Sequence, residues 1–175
     1  MTSSRIQEAG IAIVAKLSRF VPGLSVAENL FMGQMPTREA GFVDWRGLRR
    51  DATERLERFG LEIDVKKRME DMTVAERQMI EISRALFADA SVIILDEPTA
   101  PLPKHEVELL FDFVRRQREA GASFIYISHY LEEVFEIADR VTVLRNGAEV
   151  GTVPISELSQ PDLIRMVSGT TVERF

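Results

Sequence analysis

The sequence contains no cysteine in its 175 residues, which excludes disulfides and thiolate metal sites and is compatible with a reducing cytoplasm. Positive charge is in short supply: 22 Lys and Arg stand against 28 Asp and Glu, a formal net charge of −6. With no basic block and no Lys/Arg-rich aromatic stretch, the chain lacks the electrostatic footprint of a nucleic-acid binder. Long apolar runs are missing too. The segment Gly10 to Ala15 is too short for a signal-peptide core, and nothing approaches the roughly 20 apolar residues of a membrane span. Internal repeats and low-complexity tracts are also absent. What remains is ordinary, with 45% hydrophobic and 29% charged residues. The chain is one domain in size and long enough to bury roughly 70% of its unfolded surface. It reads as a soluble protein, or as a soluble part of something larger.

The segment SVIILDEPTA, Ser91 to Ala100, is the most informative. Val92, Ile93, Ile94 and Leu95 form an unbroken apolar run, which predicts a strand buried on both faces of a parallel sheet. Asp96 and Glu97 appear where that strand ends, and Pro98 stops it. Open α/β sheets bind ligands at the carboxyl ends of their strands. There, one carboxylate can hold a cation beside a phosphate and the other can orient a water. Taken alone, the pair would equally begin a solvated turn.

Ile11 to Val14 reads as another buried strand. Ser25 and Glu28 have the capping-box spacing of a short helix. Asp44 precedes a helical pattern with Leu48, Ala52, Leu56 and Phe59 on one face, closed by Gly60. Its charged residues, Arg55 among them, read as a solvated face. A second helix is predicted from Thr73 to Ala88. A third runs from about Lys104 to Ala120, with Val107, Leu110, Phe111 and Val114 inward. Ser123 to Ser128 is the next strand, again read as buried, and delivers His129 at its end. A short helix over Tyr130 to Ala138 follows, then strands at Val141 to Leu144 and Glu149 to Val153 joined by Asn146-Gly147. A small helix near Asp162 to Val167 closes the pattern. Alternating strands and helices predict a doubly wound α/β sheet, with an all-helical portion between the first two strands.

Thr73 and Glu76 have reciprocal capping spacing, and such a helix start presents amides and a partial positive charge to an anion such as phosphate. The same residues also do no more than start a helix. A lone histidine is usually structural or merely exposed. His129, at a strand's carboxyl end in a chain that already has the Asp96–Glu97 edge, is a candidate to touch a terminal phosphate.

In order and spacing these segments resemble the nucleotide-binding domain of ATP-binding-cassette (ABC) transporters. SVIILDEPTA resembles the Walker B strand, and MTVAERQMIEISRAL occupies the place of the signature motif and its helix. SFIYISHYLEEVFEIADRVTVLRNGAEV resembles the H-loop strand, the helix after it and the closing hairpin. GIAIVAKLSRFVPGLSVAENLFMG resembles the Q-loop region. The likeness extends from about Glu8 to Gly169 and is strongest to the first domain of monosaccharide-importer ATPases.

The resemblance implies a P-loop-NTPase-type sheet with an α-helical subdomain, within a single incomplete domain. Residues 1–24 would be the Q-loop region and about 25–88 the helical subdomain with the signature helix. Residues 89–153 would hold Walker B, D-loop, H-loop and hairpin, and 154–175 the C-terminal helix. It further implies ATP and Mg²⁺ as cofactors. Asp96 would hold the metal ion, Glu97 would be the general base, and His129 would contact the γ-phosphate. Thr73, Val74, Ala75 and Glu76 would stand near the phosphate of an ATP held by an opposing protomer, Lys16 would stand in the Q-loop glutamine's place, and Ala100 to Pro103 would be the D-loop. The implied partners are membrane permease subunits, a periplasmic or extracellular sugar-binding protein and a second ATPase domain, at the cytoplasmic face of the membrane.

The chain departs from the family pattern. A Walker A motif needs a glycine followed by lysine, and none of the ten glycines is so followed, so the family's first strands and P-loop have no counterpart here. Lys16 brings a positive charge where a neutral ligand is expected. Val74 and Ala75 replace the signature glycines, and Pro101 and Pro103 stiffen the D-loop. Two readings follow: an ATP-hydrolysing subunit of a carbohydrate importer, or a fragment of one; and an inactive regulatory or remnant half-domain that completes a partner's composite site. The expected loss of a central strand also predicts a poorly stable or aggregation-prone isolated chain.

Overall fold

A computed structural model describes residues 9–14, 20–37, 41–87 and 90–169. Residues 1–127 and 128–175 form two compact units.

In the first unit, β1 (Ile11–Val14), β2 (Val92–Asp96) and β3 (Ser123–Ile127) form a parallel sheet in the order β1-β2-β3. Parallel neighbours need long crossovers. The first contains α1 (Val26–Leu30), α2 (Trp45–Arg58), a 3₁₀ turn (Met69–Asp71) and α3 (Val74–Phe87); the second is α4 (Lys104–Glu119). Among the described residues, the helices between β1 and β2 therefore stand where the sequence puts them.

Strand register assigns the two faces. Val14, Leu95 and Tyr126 lie in one row. Ile93 and Leu95 are fully buried, and the Tyr126 ring meets Phe111 of α4 edge-on at 5.8 Å. Leu110, Phe113 and Val114 of α4 are buried, and α3 packs on β1 and α4. The other face lines up Ile13, Ile94 and Ile125; there Ile13 is 55% and Ile125 50% exposed. The expectation of strands buried on both faces is thus corrected for β1 and β3. An apolar run reports strand character, but not whether a second layer covers it.

Local signals hold well. Leu48, Ala52 and Leu56 of α2 are buried. At its end, Gly60 N–H donates to Glu57 O (2.9 Å) and Leu61 N–H to Leu56 O (3.0 Å), the paired bonds of a Schellman turn. Gly60 supplies the φ of +70° that this turn requires. Two helix assignments need amendment. In α4, Phe113 is fully buried where Val107 was expected inward and is only half-buried. Arg55 of α2 is not simply a solvated charge, because its guanidinium stacks over Phe31 (4.4 Å) and Phe87 (5.1 Å). Phe87 in turn packs against Phe59 at 4.9 Å. The rings offer the cation a favourable quadrupole that the helical pattern alone does not reveal.

The α1 capping box is complete: Ser25 N–H donates to Glu28 Oε2 (2.8 Å) and Glu28 N–H to Ser25 Oγ (3.3 Å). The Ser25 hydroxyl and then its backbone N–H hold the Glu28 carboxyl below its usual range; burial opposes them more weakly, and Arg49 adds the smallest lowering effect. A depressed carboxyl contributes stability that is present above its unfolded pKa of about 4.5 and is lost as pH falls through the lower folded value. Ser25→Ala is therefore expected to cost about 1 kcal/mol at neutral pH and to flatten the acid limb of stability below about pH 4.5, as read by urea unfolding across pH 3 to 7.

In the second unit, α5 (Leu131–Ile137) precedes the antiparallel hairpin of β4 (Arg140–Arg145) and β5 (Ala148–Pro154), and α6 (Gln160–Ser168) follows. Asn146 and Gly147 both have positive φ, 52° and 79°, as a two-residue type I′ turn demands. Ser159 caps α6 by accepting the Asp162 N–H, and buried Leu163 belongs to the helix that packs on β4. Among the described residues, no helix is long and apolar enough to cross a membrane.

Candidate functional site

The acidic edge is built by β2. Its register with β3 ends on the pair Asp96–Ile127, so both acids fall at the carboxyl end of the central strand. Asp96 and Glu97 are half-buried, whereas Pro98 and Thr99 behind them are buried. Glu97 has a φ of +47°, a left-handed conformation that costs a residue with a Cβ roughly 1–2 kcal/mol. The conformation is held from both sides. Glu97 N–H donates to Ile127 O at 2.9 Å, and Ala100 N–H donates back to Glu97 O at 3.3 Å. Farther along, Leu102 N–H donates to Thr99 O (2.8 Å), and the Thr99 and Tyr126 hydroxyls bond at 3.2 Å. Strained backbone maintained by its surroundings is typical of functional positions, and here it bears the carboxylate that the sequence singles out.

The start of α3 forms a second group. Thr73 N–H donates to Glu76 Oε2 (2.8 Å) and Glu76 N–H to Thr73 Oγ1 (3.2 Å), the predicted reciprocal cap. Glu76 also lies 3.9 Å from Lys67 Nζ. Its capping role thus engages the carboxylate that the sequence places near a phosphate. Thr73 is exposed, Val74 half-buried and Ala75 buried. The Ala75 N–H donates to Glu106 Oε2 of α4 at 3.0 Å.

His129 lies in the second unit, within a turn held by Ser128. The Ser128 hydroxyl donates to Glu133 Oε2 (3.0 Å) and accepts the Tyr130 N–H (3.0 Å), and the His129 ring rests on Tyr130 at 4.1 Å. It is exposed. Lys16 lies outside the described residues. The structure therefore joins Asp96 to Glu97, and Thr73 to Glu76.

Two residues of consequence escaped the sequence reading. Asn29 is a buried amide that pins the loop before α1, and nothing in its sequence neighbourhood marks it. Glu106 had a signal. It is the third residue of α4 after the cap Pro103, and a glutamate there normally returns to the cap N–H, which proline lacks.

Among the described residues, no three acidic, imidazole or thiol groups converge on a metal position. A single carboxylate at the strand edge nevertheless suits Mg²⁺, which commonly takes one or two protein carboxylates and completes its shell with phosphate oxygens and water. A parallel sheet with acids at its carboxyl edge defines an α/β domain whose ligand edge carries Asp96 and Glu97. The ABC transporter family model matches residues 1–100, more than half of the chain. The chain belongs to that family.

Ribose import ATP-binding protein RbsA 3 of Rubrobacter xylanophilus is 46% identical over 163 residues, 93% of this chain and 33% of that protein. The galactofuranose transporter ATP-binding protein YtfR of Escherichia coli K12 is 40% identical over 171 residues, 98% of this chain and 34% of that protein. The chain thus spans about a third of the length of the curated relatives it matches. Among solved structures, the ADP conformation of MJ1267, an ATP-binding cassette of an ABC transporter, matches with a TM-score of 0.76 at 20% identity. That match covers 97% of this chain and 72% of the other, and the α/β architecture is accordingly that of ABC cassettes.

Proposed function

We propose that this chain is the ATP-binding and ATP-hydrolysing part of an ABC importer for a monosaccharide. The observation that supports this most directly is the Asp96–Glu97 edge, with Glu97 held in left-handed backbone at the end of the central strand. The names of the relatives, ribose and galactofuranose importers, supply the substrate class.

In this reading Asp96 holds Mg²⁺, which neutralises phosphate charge. Glu97 is the general base that orients and deprotonates the attacking water, and its half-buried position favours proton transfer to a carboxylate held in place. His129 contacts the γ-phosphate. The turn Thr73–Glu76 and Lys16 belong to the phosphate surroundings, Thr73 to Ala75 facing a nucleotide held by a second ATPase domain. The partners are membrane permease subunits, which couple to a sugar-binding protein, and the working place is the cytoplasmic face of the membrane. Phe42 in the segment before α2 and Trp45 at its first residue, 74% and 47% exposed, support permease docking around that helix, because large apolar side chains left in water mark interaction surfaces.

The test is sugar-stimulated ATP hydrolysis in proteoliposomes holding the transporter that includes this chain. Turnover that requires Mg²⁺ and is lost in Asp96→Asn is the expected result. Turnover unaffected by Asp96→Asn overturns the metal assignment, and sugar-independent background hydrolysis overturns the importer assignment.

A further inference from the structure

One carboxylate ties the first turns of α3 and α4 together. Ala75 N–H is among the amides that a helix leaves without an intrahelical partner, and Glu106 Oε2 accepts it at 3.0 Å across 31 residues of sequence. Glu106 is available because the cap of its own helix is Pro103, which has no N–H to bond. The carboxylate thus serves two helix starts, each of which favours negative charge. On the other side, the connection back to the acidic strand edge has little slack. Glu106 N–H donates to Pro103 O, Leu102 N–H to Thr99 O, and Ala100 N–H to Glu97 O, at 2.9, 2.8 and 3.3 Å. The bond between Thr99 and Tyr126 anchors the middle of it to β3.

We propose that Glu106 is a positioning residue for the Thr73–Glu76 turn, fixing that turn to α4 and, through residues 97–103, to the acidic end of β2. A change at Glu97 is transmitted to the start of α3 through this carboxylate. The proposal rests on the nucleotide reading only for what the turn meets, a terminal phosphate; the coupling itself is a property of the folded chain.

Residue-resolved amide exchange on this chain within the assembled transporter, without nucleotide, tests the coupling separately from the function. Glu106→Ala removes a charged acceptor and should speed Ala75 exchange about ten- to a hundredfold, with Ala85 to Phe87 at the far end of α3 unchanged. Glu106→Gln, which keeps a neutral acceptor, should restore most of the protection. Pro103→Ala supplies the missing cap N–H as a competitor and should loosen Ala75 with Glu106 still in place. Glu97→Gly, which relaxes the strand end, should alter Ala75 exchange when Glu106 is present and not in Glu106→Ala. Exchange that rises evenly along α3, no recovery with glutamine, or an Ala75 amide indifferent to Glu97→Gly would each overturn the proposal. Because these outcomes need no ATP, a failed transport assay and a failed exchange experiment report on different claims.

Discussion

Glu97→Gln is expected to lower ATP turnover of the proposed ATPase by about 10²- to 10⁴-fold, the usual contribution of a positioned general base, with nucleotide binding retained. The amide keeps the size of the side chain and most of its hydrogen-bonding, but it cannot take the water's proton. The backbone gives this position a second, opposite prediction. Glu97 holds a φ of +47°, which glycine adopts without the Cβ penalty. Glu97→Gly should abolish turnover equally while stabilising the fold by up to about 1 kcal/mol, or roughly 2–4 °C in thermal midpoint for a chain of this size. Glu97→Gln should leave the midpoint nearly unchanged, because it keeps both the Cβ and the strain. Steady-state hydrolysis at saturating Mg·ATP by the transporter that includes this chain, and thermal unfolding of the three versions of the chain, decide the matter. A glycine variant no more stable than the glutamine variant would show that this conformation stores no strain. Full turnover in Glu97→Gln would remove the residue from the catalytic role.

The second large effect concerns stability. Asn29 is 2% exposed, and its side chain serves four backbone groups. Oδ1 accepts the Val21 N–H at 2.8 Å. The two Nδ2 hydrogens are shared among the carbonyls of Val21 (3.1 Å), Leu24 (3.2 Å) and Ser25 (3.0 Å). Asn29→Asp keeps the acceptor, removes both donors and turns a buried negative charge toward three carbonyl oxygens. That substitution should cost about 3–5 kcal/mol at neutral pH, comparable to breaking a buried charge pair, and the deficit should shrink in acid as the carboxyl is protonated. Asn29→Ala adds no charge and leaves only the Val21 N–H unpaired, since the three carbonyls keep the backbone donors Leu24, Met69 and Asn29 N–H, and should cost about 1–3 kcal/mol. Urea unfolding at pH 7 and pH 4.5 separates the two. If aspartate is no worse than alanine at pH 7, the carbonyl cluster is not the source of the effect.

Near-neighbour chemistry proved the most legible. The Ser25–Glu28 and Thr73–Glu76 boxes, the Gly60 turn and the Asn146-Gly147 turn all depend on residues two to five apart, and all stand as the sequence predicts. The acids of SVIILDEPTA fall at the carboxyl end of a central parallel strand for a similar reason: a strand's end is fixed by the residues that terminate it. The stacking of Arg55 is invisible in its helical pattern because the rings it meets, Phe31 and Phe87, come from other elements. Val107 is only half-buried while Phe113 is fully buried, because the exact rotation of α4 is set by what lies beneath it, such as Tyr126.

By itself, then, the sequence determined the kinds and order of the elements, their caps and turns, and the acidic strand edge, since each follows from propensities and hydrogen bonds closed within one turn or one strand. The tertiary structure alone decided which sheet face is covered, the left-handed backbone at Glu97, the four-way grip of Asn29 and the bond from Glu106 to Ala75. Those features depend on groups brought together by the crossings of helices over strands, and a one-dimensional pattern holds no record of which distant amide a free carboxylate will meet.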